Sequence, residues 1–590
     1  MKLGRTTRDA IAAAAIVLVC AAVSVSPAFN MIHGLSIDIL TALRWEMFGS
    51  RQQPASSPAV VVAIDEETYQ TTPFKGSPTL TWTGEIGRVL TAIVEGGAKV
   101  VGFDIVFETS IEQSEIPFGE GVFGDKVRGF DRDFLRALAV GSTAGKVVLG
   151  EVLRGDQPIR PSPGQRIAVR QNVRPLNVYT DSDDVVRRLP LTFSVDGHPV
   201  PSIALELASR AVGSKPELKA DGTVALAGYR VPGAVLNTMT LNFEGGADHI
   251  PTYSFADLSS CARKTDKEFF RRQFEGKVVI VGTVLGAEDR RLTSKRFTTG
   301  IEGARAPRCA LAEQPVSGRF KRSEIAGIYI HATAVNNLIG KDAAVELGRP
   351  PIALIAVLAA AFAALAARRL KPVSAVLAYL GATAAYAIAA AAAFNQALVL
   401  PLSEPFMAGL AALAAMVGYR FMVADKDRRL LQKSFALYLA PDVIDKMLAS
   451  DKLPVLGGET RNVTAFFSDL EGFSQIAEDL SPDALMALMN EYLSAMTDII
   501  ESHGGYVDKY IGDSIVAVFG APADDPDHAS NAARAALGCC ARLEELNRSA
   551  AAFQGRKIIQ RIGINTGDAL VGNFGSRRRF NYSEIGRAHV

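Results

Sequence analysis

Two aspartates near the C-terminal end of the chain are the residues whose positions best predict chemistry. Asp469 follows the apolar run VTAFF at 463–467, and Asp513 lies in a Gly-Asp turn between two further short runs. If these apolar runs form strands that are neighbours in a sheet, the two carboxylates lie together and repel each other unless cations lie between them. Carboxylate and phosphate oxygens are ligands that Mg²⁺ prefers, so the pair predicts a site for metal ions and phosphates.

The segment that follows Asp469 predicts an anion site beside the carboxylates. It reads LEGFS at 470–474, a turn that enters a helix. The first backbone N–H groups of a helix have no partners within it and can bind an anion. Metal-binding carboxylates next to such a helix start predict chemistry on a nucleoside triphosphate.

The elements that must position these residues alternate between strands and helices. Short apolar runs predict strands, and amphipathic stretches predict helices, one of them with a Ser-Pro-Asp start at 481–483. The predictions are strand 463–467, a helix from 481, strands 506–511 and 514–519, helix 528–546 and strand 559–565. This βαββαβ order predicts an α+β, ferredoxin-like domain.

Three segments of this region resemble the class III nucleotidyl cyclases. They are FSDLEGFS at 467–474, DKYIGDSIVAVFG at 508–520 and RIGINTGDALVGNFGS at 561–576, and the resemblance covers about residues 430–586. It implies an active site shared by two protomers of a homodimer, with the metal ligands on one and the base-reading residues on the other. It also implies a catalysed attack of the ribose 3′-OH on the α-phosphate, with pyrophosphate leaving.

The same resemblance implies a role for particular residues of this chain. Two metal ions, Mg²⁺ or Mn²⁺, would be bound by the catalytic Asp469 and Asp513 and by the carbonyl of Leu470. The triphosphate would be held by the backbone amides of Gly472, Phe473 and Ser474.

Two residues carry the expected choice of base. Lys509 can donate to the acceptor N1 of adenine, whereas guanylate cyclases place a Glu at this position. The hydroxyl of Ser583 can accept from the adenine amino group. The resemblance therefore predicts an adenylate cyclase, a phosphorus–oxygen lyase that converts ATP to cyclic AMP. The alternatives are a guanylate cyclase and a catalytically silent sensor or interaction protein.

The last residues depart from the family pattern. After Ile585 and Gly586 the family continues Asp-x-Val-Asn-x-Ala-x-Arg, but this chain reads RAHV at 587–590. The Asn and Arg orient the ribose and stabilise transition-state charge, and losing such a group costs about 10²–10³ in rate. We therefore expect the chain to be truncated and weakly active or inactive.

The composition favours a membrane protein and gives no sign of a nucleic-acid partner. Lys+Arg is 63 and Asp+Glu is 62, so the basic excess that binds phosphate backbones is lacking. Apolar runs long enough to cross a bilayer lie at 10–29, 350–367, 373–394 and 398–419. The alternatives are a cleaved signal peptide for the first run and buried core helices for the others.

Basic residues at the ends of these runs predict the orientation, because Lys and Arg near the ends of spans stay in the cytoplasm. Such residues precede the first run, separate the second from the third and follow the fourth. Four spans satisfy all of these positions and leave 30–348 outside. We expect a multi-pass protein of the inner membrane, in contact with lipid, with that segment periplasmic or extracellular and the cyclase domain cytoplasmic.

The external segment reads as an α/β domain. Strands are predicted at 59–64, 99–103, 146–149 and 277–281, with helices at 84–94, 131–138 and 327–339. The segments VVVAIDEET at 60–68, GAKVVGFDIVF at 97–107, GKVVIVGT at 276–283 and GIYIHATAVNNLI at 327–339 resemble the second type of CHASE domain. This resemblance implies a sensory module, whose extracytoplasmic ligand the sequence does not identify.

Polar residues of the external segment leave two questions open. Asp65, Glu66 and Asp104 lie at strand ends, where they either bind a ligand or, as we favour, cap helices and face solvent. Cys261 and Cys309 either form a disulfide in an oxidising compartment or remain as two buried thiols.

The multidomain order that follows has five parts. They are a cytoplasmic stub with the first span at 1–29, the sensory domain at 30–348, three spans at 349–423, a helical linker at 424–457 and the cyclase domain at 458–590.

Overall fold

The chain folds into two compact units, Met1–Phe421 and Met422–Val590. A computed structural model describes residues 5–26, 30–155, 157–195, 197–219, 221–244, 249–286, 289–298, 304–312, 324–424, 457–576 and 579–586. Apart from its two end residues, the predicted linker at 424–457 lies outside these residues. The tail at 587–590 does so too.

The first unit is built around a sheet of seven parallel strands. Every residue of the central strand Ala59–Ile64 is buried, as expected when helices cover both faces of a parallel sheet. In sheet order the strands are Ala304–Arg305, Pro251–Ser254, Ala59–Ile64, Val278–Thr283, Val100–Asp104, Val147–Glu151 and Val173–Pro175. The α/β prediction is confirmed, and the strands predicted from apolar runs are among these seven.

Alternate residues of the central strand supply two hydrophobic cores, one on each face of the sheet. Val61 and Ala63 pack with the helices Ile203–Val212 and Gly327–Gly340. Val60 and Val62 pack on the other face, in a core to which five helices contribute. These helices are Thr83–Glu95, Arg132–Thr143, Phe255–Arg263, Lys267–Phe274 and, at its edge, Pro163–Ala168.

Short elements complete the first unit. Its other short helices are Glu66–Gln70 and Phe123–Lys126. The small sheets are Pro117–Phe118 with Gly121–Val122; Arg290–Thr293 with Glu324–Ala326 and Val185–Val186; Arg188–Pro190 with Thr238–Thr240; Thr192–Val195 with His198–Pro201; and Val224–Leu226 with Glu217–Leu218 and Tyr229–Arg230.

A helix that the sequence did not predict, Asn30–Phe48, carries buried charge into the first unit. The side chains of Asp38 and Arg44 are fully buried, with 0% exposed. Arg187 Nη2 donates to Asp38 Oδ2 at 2.7 Å, and Arg44 Nη1 donates to Glu244 Oε2 at 3.0 Å. A buried charge is tolerated only when it is paired and hydrogen-bonded, so these contacts fix the helix against the domain.

Four helices of the described residues are long and apolar enough to cross a membrane, which agrees with the four predicted spans. They are Thr7–Ser24, Arg349–Arg369, Pro372–Phe394 and Ser403–Met422. The fourth begins later than predicted because Leu398–Val399 pairs as a strand with Val345–Glu346. Ser36 Oγ accepts a hydrogen bond from the backbone N–H of Ser403 at 3.1 Å, which joins the helix Asn30–Phe48 to the fourth span.

The second unit contains an antiparallel sheet with five described strands. In sheet order they are Gly505–Ile511, Ser514–Phe519, Gly457–Leu470, Gln560–Ser576 and Arg579–Gly586. The first four are the predicted strands, two of them much longer than their apolar runs. The fifth was not predicted; it pairs with Gln560–Ser576 and extends the sheet at that edge.

The helices Phe473–Asp479, Pro482–Ser502 and His528–Ser549 accompany this sheet. Leu488, Tyr492 and Met496 of the second helix are fully buried in one core with Phe466 of the sheet. The predicted cap is present, since Ser481 Oγ accepts from the backbone N–H of Ala484 at 3.3 Å. The ferredoxin-like prediction is confirmed.

Candidate active site

The second unit brings Asp469 and Asp513 together at one edge of its sheet. Asp469 lies near the end of the strand Gly457–Leu470, and Asp513 lies in the turn between Gly505–Ile511 and the adjacent strand Ser514–Phe519. Antiparallel pairing of Ser468 with Ile515 brings this turn alongside Asp469. Asp513 Oδ2 accepts from the backbone N–H of Leu470 at 3.0 Å, and Ser514 Oγ donates to Asp469 Oδ1 at 2.6 Å.

The electrostatics of this pair suit a cation. Burial raises the pKa of Asp513 and the negative charge of Asp469 raises it further, while the N–H of Leu470 acts in the opposite direction. Among the residues that the structure describes, neither carboxylate forms an ion pair with a basic side chain. Two uncompensated carboxylates with free oxygen lone pairs are a donor set that fits a hard divalent ion.

The predicted phosphate-binding residues follow this pair directly. Gly472 adopts a left-handed conformation, with φ of +68°, that only glycine adopts without strain. The turn at Gly472 lets the helix Phe473–Asp479 begin four residues after Asp469, with Phe473 and Ser474 as its first residues. Their backbone N–H groups belong to the first helical turn, where intrahelical acceptors are lacking.

A second cluster joins Lys509 to Ser583, the two residues expected to choose the base. Lys509 Nζ donates to Ser583 Oγ at 3.2 Å, although 74 residues separate them in the chain. The side chain of Lys509 is 44% exposed, and Ser583 is buried. A buried hydroxyl beside a half-exposed ammonium presents both a donor and an acceptor to an incoming ring.

Asp508 belongs to this cluster and was missed by the sequence analysis. Its carboxylate Oδ2 accepts from Ser583 Oγ at 2.6 Å and lies 3.1 Å from Lys509 Nζ. The strand register shifts between Val507 and Lys509, so Asp508 is the extra residue of a β-bulge. Adjacent strand residues normally face opposite sides, and the bulge lets both side chains reach Ser583. An acid next to Lys509 was the only available sequence signal.

The two clusters remain separate in one chain. The described residues show Asp469 with Asp513, and Lys509 with Ser583, but record no contact between the two groups. Asp513 follows Lys509 by four positions along the hairpin.

The structure shows the local contacts of the polar residues of the first unit. Asp65 caps the helix Glu66–Gln70, with Oδ1 accepting from the N–H of Thr68 at 2.9 Å. The expected solvation of Asp104 is wrong, because its side chain is 9% exposed and burial, followed by the charge of Asp289, raises its pKa. Cys261 and Cys309 form a disulfide, with their Cα atoms 5.7 Å apart.

Family models match both units. The model of the CHASE2 domain matches residues 13–384, which is more than half of the chain. The model of the adenylate and guanylate cyclase catalytic domain matches residues 457–587. The chain belongs to the CHASE2 family, and it carries a class III cyclase domain. The CHASE2 match includes apolar helices as well as the parallel sheet, so the family's defining region extends into the spans.

Individual relatives match parts of this CHASE2 cyclase. It is 33% identical over 153 residues, 26% of its length, to adenylate cyclase 1 of Rhizobium meliloti (strain 1021), of which the match covers 23%. It is 29% identical over 168 residues, 28% of its length, to an adenylate cyclase of Anabaena cylindrica, of which the match covers 31%. The chain therefore spans less than a third of the length of these curated relatives.

Two solved cyclase structures are similar to part of the chain. The crystal structure of the guanylyl cyclase Cya2 is 36% identical, with a TM-score of 0.22, over 22% of this chain and 68% of that one. The crystal structure of the adenylyl cyclase CyaB from P. aeruginosa is 35% identical, with a TM-score of 0.22, over 22% of this chain and 69% of that one.

Proposed function

We propose that the chain is a membrane adenylate cyclase that converts ATP to 3′,5′-cyclic AMP and pyrophosphate. The observation that carries this proposal is the Lys509–Ser583 pair, an ammonium donor beside a hydroxyl acceptor 3.2 Å away. Adenine offers an acceptor at N1 and a donor at its amino group, which this pair complements. Guanine offers the reverse, a donor at N1 and an acceptor at O6.

Asp469 and Asp513, with the carbonyl of Leu470, are the residues that would hold two Mg²⁺ or Mn²⁺ ions. The geometry supports this, because the two carboxylates lie beside each other and neither forms an ion pair with a basic side chain among the described residues. Ions bound there would favour the deprotonated 3′-oxygen and stabilise charge on the phosphates. The backbone amides of Gly472, Phe473 and Ser474 hold the triphosphate in line.

The reaction forms one P–O bond and breaks another. The ribose 3′-oxygen loses its proton to solvent water and attacks the α-phosphorus, and the bond from that phosphorus to the oxygen bridging to the β-phosphate breaks. The electron pair leaves with pyrophosphate. The carboxylates position the nucleophile and the phosphate, and the Lys509–Ser583 pair fixes the far end of the substrate.

A homodimer would complete the site. The metal-binding pair and the base-reading pair make no contact within the described part of one chain, which supports a site assembled from two protomers. The cyclase domain at 458–590 would supply this dimer contact, and the spans at 349–423 and the linker at 424–457 would connect it to the sensory domain.

We place the sensory domain at 30–348 in the periplasm or extracellular space, where it binds a ligand that controls the cyclase. The Cys261–Cys309 disulfide supports this, because disulfides persist in oxidising compartments. The cyclase domain, with Cys539 and Cys540 as free thiols, would lie in the cytoplasm of a cell whose inner membrane holds the four spans.

The test is to incubate membranes that contain the chain with Mg²⁺ or Mn²⁺ and either ATP or GTP. Cyclic AMP formed from ATP, without cyclic GMP from GTP, is the expected product. Cyclic GMP as the main product would overturn the choice of ATP. Lys509→Glu should shift preference toward GTP, and an unchanged preference would contradict the role of Lys509.

Absence of both products, with either ion, would favour the alternative of a catalytically silent sensor.

A further inference from the structure

The two polar groups beside the Ser583 oxygen determine which hydrogen bond its hydroxyl donates and which it accepts. Lys509 Nζ lies 3.2 Å away and Asp508 Oδ2 lies 2.6 Å away. An ammonium group can only donate a hydrogen bond, and an ionised carboxylate can only accept one. The Ser583 oxygen therefore accepts from Lys509 and gives its only proton to Asp508.

The side chain of Asp508 is buried where it makes this contact. Its side chain is 2% exposed, and Oδ1 is buried without a hydrogen-bond partner among the described residues. Burying a carboxylate with one unsatisfied oxygen lowers the stability of the fold, which indicates that the residue has a role other than stabilising it. The β-bulge that aims Asp508 at Ser583 is a second departure from regular structure at the same position.

We propose that Asp508 is a positioning residue that sets the preference for adenine by acting on Ser583. A serine hydroxyl left to itself donates or accepts equally well, so it would bind either the amino group of adenine or the O6 carbonyl of guanine. With its proton committed to Asp508, Ser583 presents only lone pairs to the base. The amino group of adenine is bound, and the carbonyl of guanine meets a second acceptor.

This inference rests on the proposed function, and it assigns to Asp508 the step that makes the Ser583 hydroxyl selective. It also assigns different positions of the base to different residues of the cluster. Lys509 discriminates at N1 of the base, whereas Asp508 and Ser583 together discriminate at position 6.

The experiment measures equilibrium binding to the full chain in detergent, in the presence of Mg²⁺. The probes are 3′-deoxy-ATP and 3′-deoxy-GTP, which lack the attacking hydroxyl and cannot be cyclised. The quantity compared is the ratio of the two dissociation constants. Asp508→Asn should lower the preference for the adenine analogue roughly 5- to 100-fold, because the loss of one directed hydrogen bond has about this effect.

Two further variants make the result specific to the contact. Ser583→Ala should lower the preference by a similar factor, and Asp508→Asn in that background should change it less than about twofold, since coupled residues are not additive. Ser583→Thr keeps the hydroxyl and should keep the preference. Asp498→Asn, an exposed position on the helix Pro482–Ser502, is the matched control and should change nothing.

An unchanged ratio in Asp508→Asn, or an equal change with and without Ser583, would overturn the inference and leave the proposed function standing. If Asp508→Asn does not fold, an unchanged ratio in Ser583→Ala would overturn it as well. Failure of the unsubstituted chain to bind either analogue would remove the proposed function and the inference together.

Discussion

Asp38 of the first unit and the Asp469–Asp513 pair of the second unit show opposite uses of a carboxylate. In the first unit Asp38 is fully buried and meets Arg187 at 2.7 Å and Arg296 at 2.8 Å. In the second, Asp469 and Asp513 lie beside each other with no basic partner among the described residues. The comparison separates two uses of charge. A paired carboxylate contributes to holding the fold together, whereas an uncompensated pair keeps its oxygens available to a ligand.

This difference has an energetic consequence. Removing a partner from the buried pair leaves a charge in the interior and should unfold the first unit more easily. Removing a charge from the Asp469–Asp513 pair relieves repulsion and should cost function, not stability. The four predictions below test that contrast.

The largest expected effect is on stability, from Arg187→Ala. It removes a guanidinium that pairs with three carboxylates, Asp38, Asp181 and Asp183. Breaking a buried pair in this way costs about 3–5 kcal/mol. The two tryptophans of the chain, Trp45 and Trp82, both lie in the first unit, so the fluorescence change on denaturant unfolding reports that unit alone.

The matched control for Arg187→Ala is Arg128→Ala. Arg128 also pairs with an aspartate, Asp125, but both side chains are more than half exposed. Exposed pairs contribute about 0–1 kcal/mol, so the control should unfold nearly as the original chain does. Equal losses in the two variants would show that the buried network does not stabilise the unit.

The next effect is on activity, from Asp513→Asn. The amide keeps the volume and can still accept from the N–H of Leu470, but it removes a metal-binding charge. Cyclic AMP formation should fall about 10²–10³-fold, the range for losing one electrostatic group, and Mn²⁺ binding at equilibrium should weaken. The melting temperature of the metal-free second unit should not fall. Asp498→Asn serves as the control, and full activity in Asp513→Asn would contradict the site.

The disulfide should stabilise only the first unit. Replacing Cys261 and Cys309 with Ala opens a loop of 48 residues and should cost about 2–4 kcal/mol of stability in the tryptophan-monitored transition. Cys540→Ser, at an exposed position of the second unit, is the control and should leave that transition unchanged. A disulfide variant as stable as the original would show that the cross-link is dispensable.

The smallest effect is a pH dependence centred on His33. Hydrogen bonds to Glu346 and Glu404 raise the pKa of His33 from 6.5 to about 9, against the effect of burial. Burial alone would raise the pKa of Glu346, but hydrogen bonds from His33 and Arg188 outweigh it and hold the pKa at about 2. A raised His pKa gives stability that is complete below pH 6.5 and lost as the pH rises through 9.

The first unit should therefore lose stability between pH 7 and 10 as His33 loses its proton. His33→Gln should make this loss of unfolding free energy smaller by about 1 kcal/mol. The measurement is the tryptophan-monitored unfolding midpoint at each pH. His198→Gln, at an exposed histidine of the strand His198–Pro201 in the same unit, is the control. Identical pH profiles for His33→Gln and the original chain would contradict the assignment.

The sequence predicted those parts of the fold that depend on local pattern. The strand Ala59–Ile64 is an unbroken apolar run between polar residues, and the structure has the same boundaries. The spans are long apolar runs with charges at their ends. The helix Asn30–Phe48 was missed because its partners are remote: Asp38 and Arg187 are 149 residues apart, and Arg44 and Glu244 are 200.

The residues of the candidate site also divide into those that the sequence pattern predicts and those that depend on remote contacts. The proximity of Asp469 and Asp513 follows from the order of strands and could be predicted. The roles of Lys509 and Ser583 came from family resemblance and stay predictions, although the structure does bring the two together. Asp508 could not be predicted, because its direction depends on a one-residue shift in strand register that composition and periodicity do not encode.

The strand pair Val345–Glu346 and Leu398–Val399 determines where this molecule can be cut and rejoined. Glu346 lies before the second span, yet it contacts Arg188 of the parallel-sheet domain and His33 of the helix Asn30–Phe48. A chimera that exchanges only residues 30–348 would leave Leu398–Val399 and Glu404 facing foreign partners. The smallest interchangeable module therefore runs from the first span through the fourth, and hybrid proteins should be joined after it.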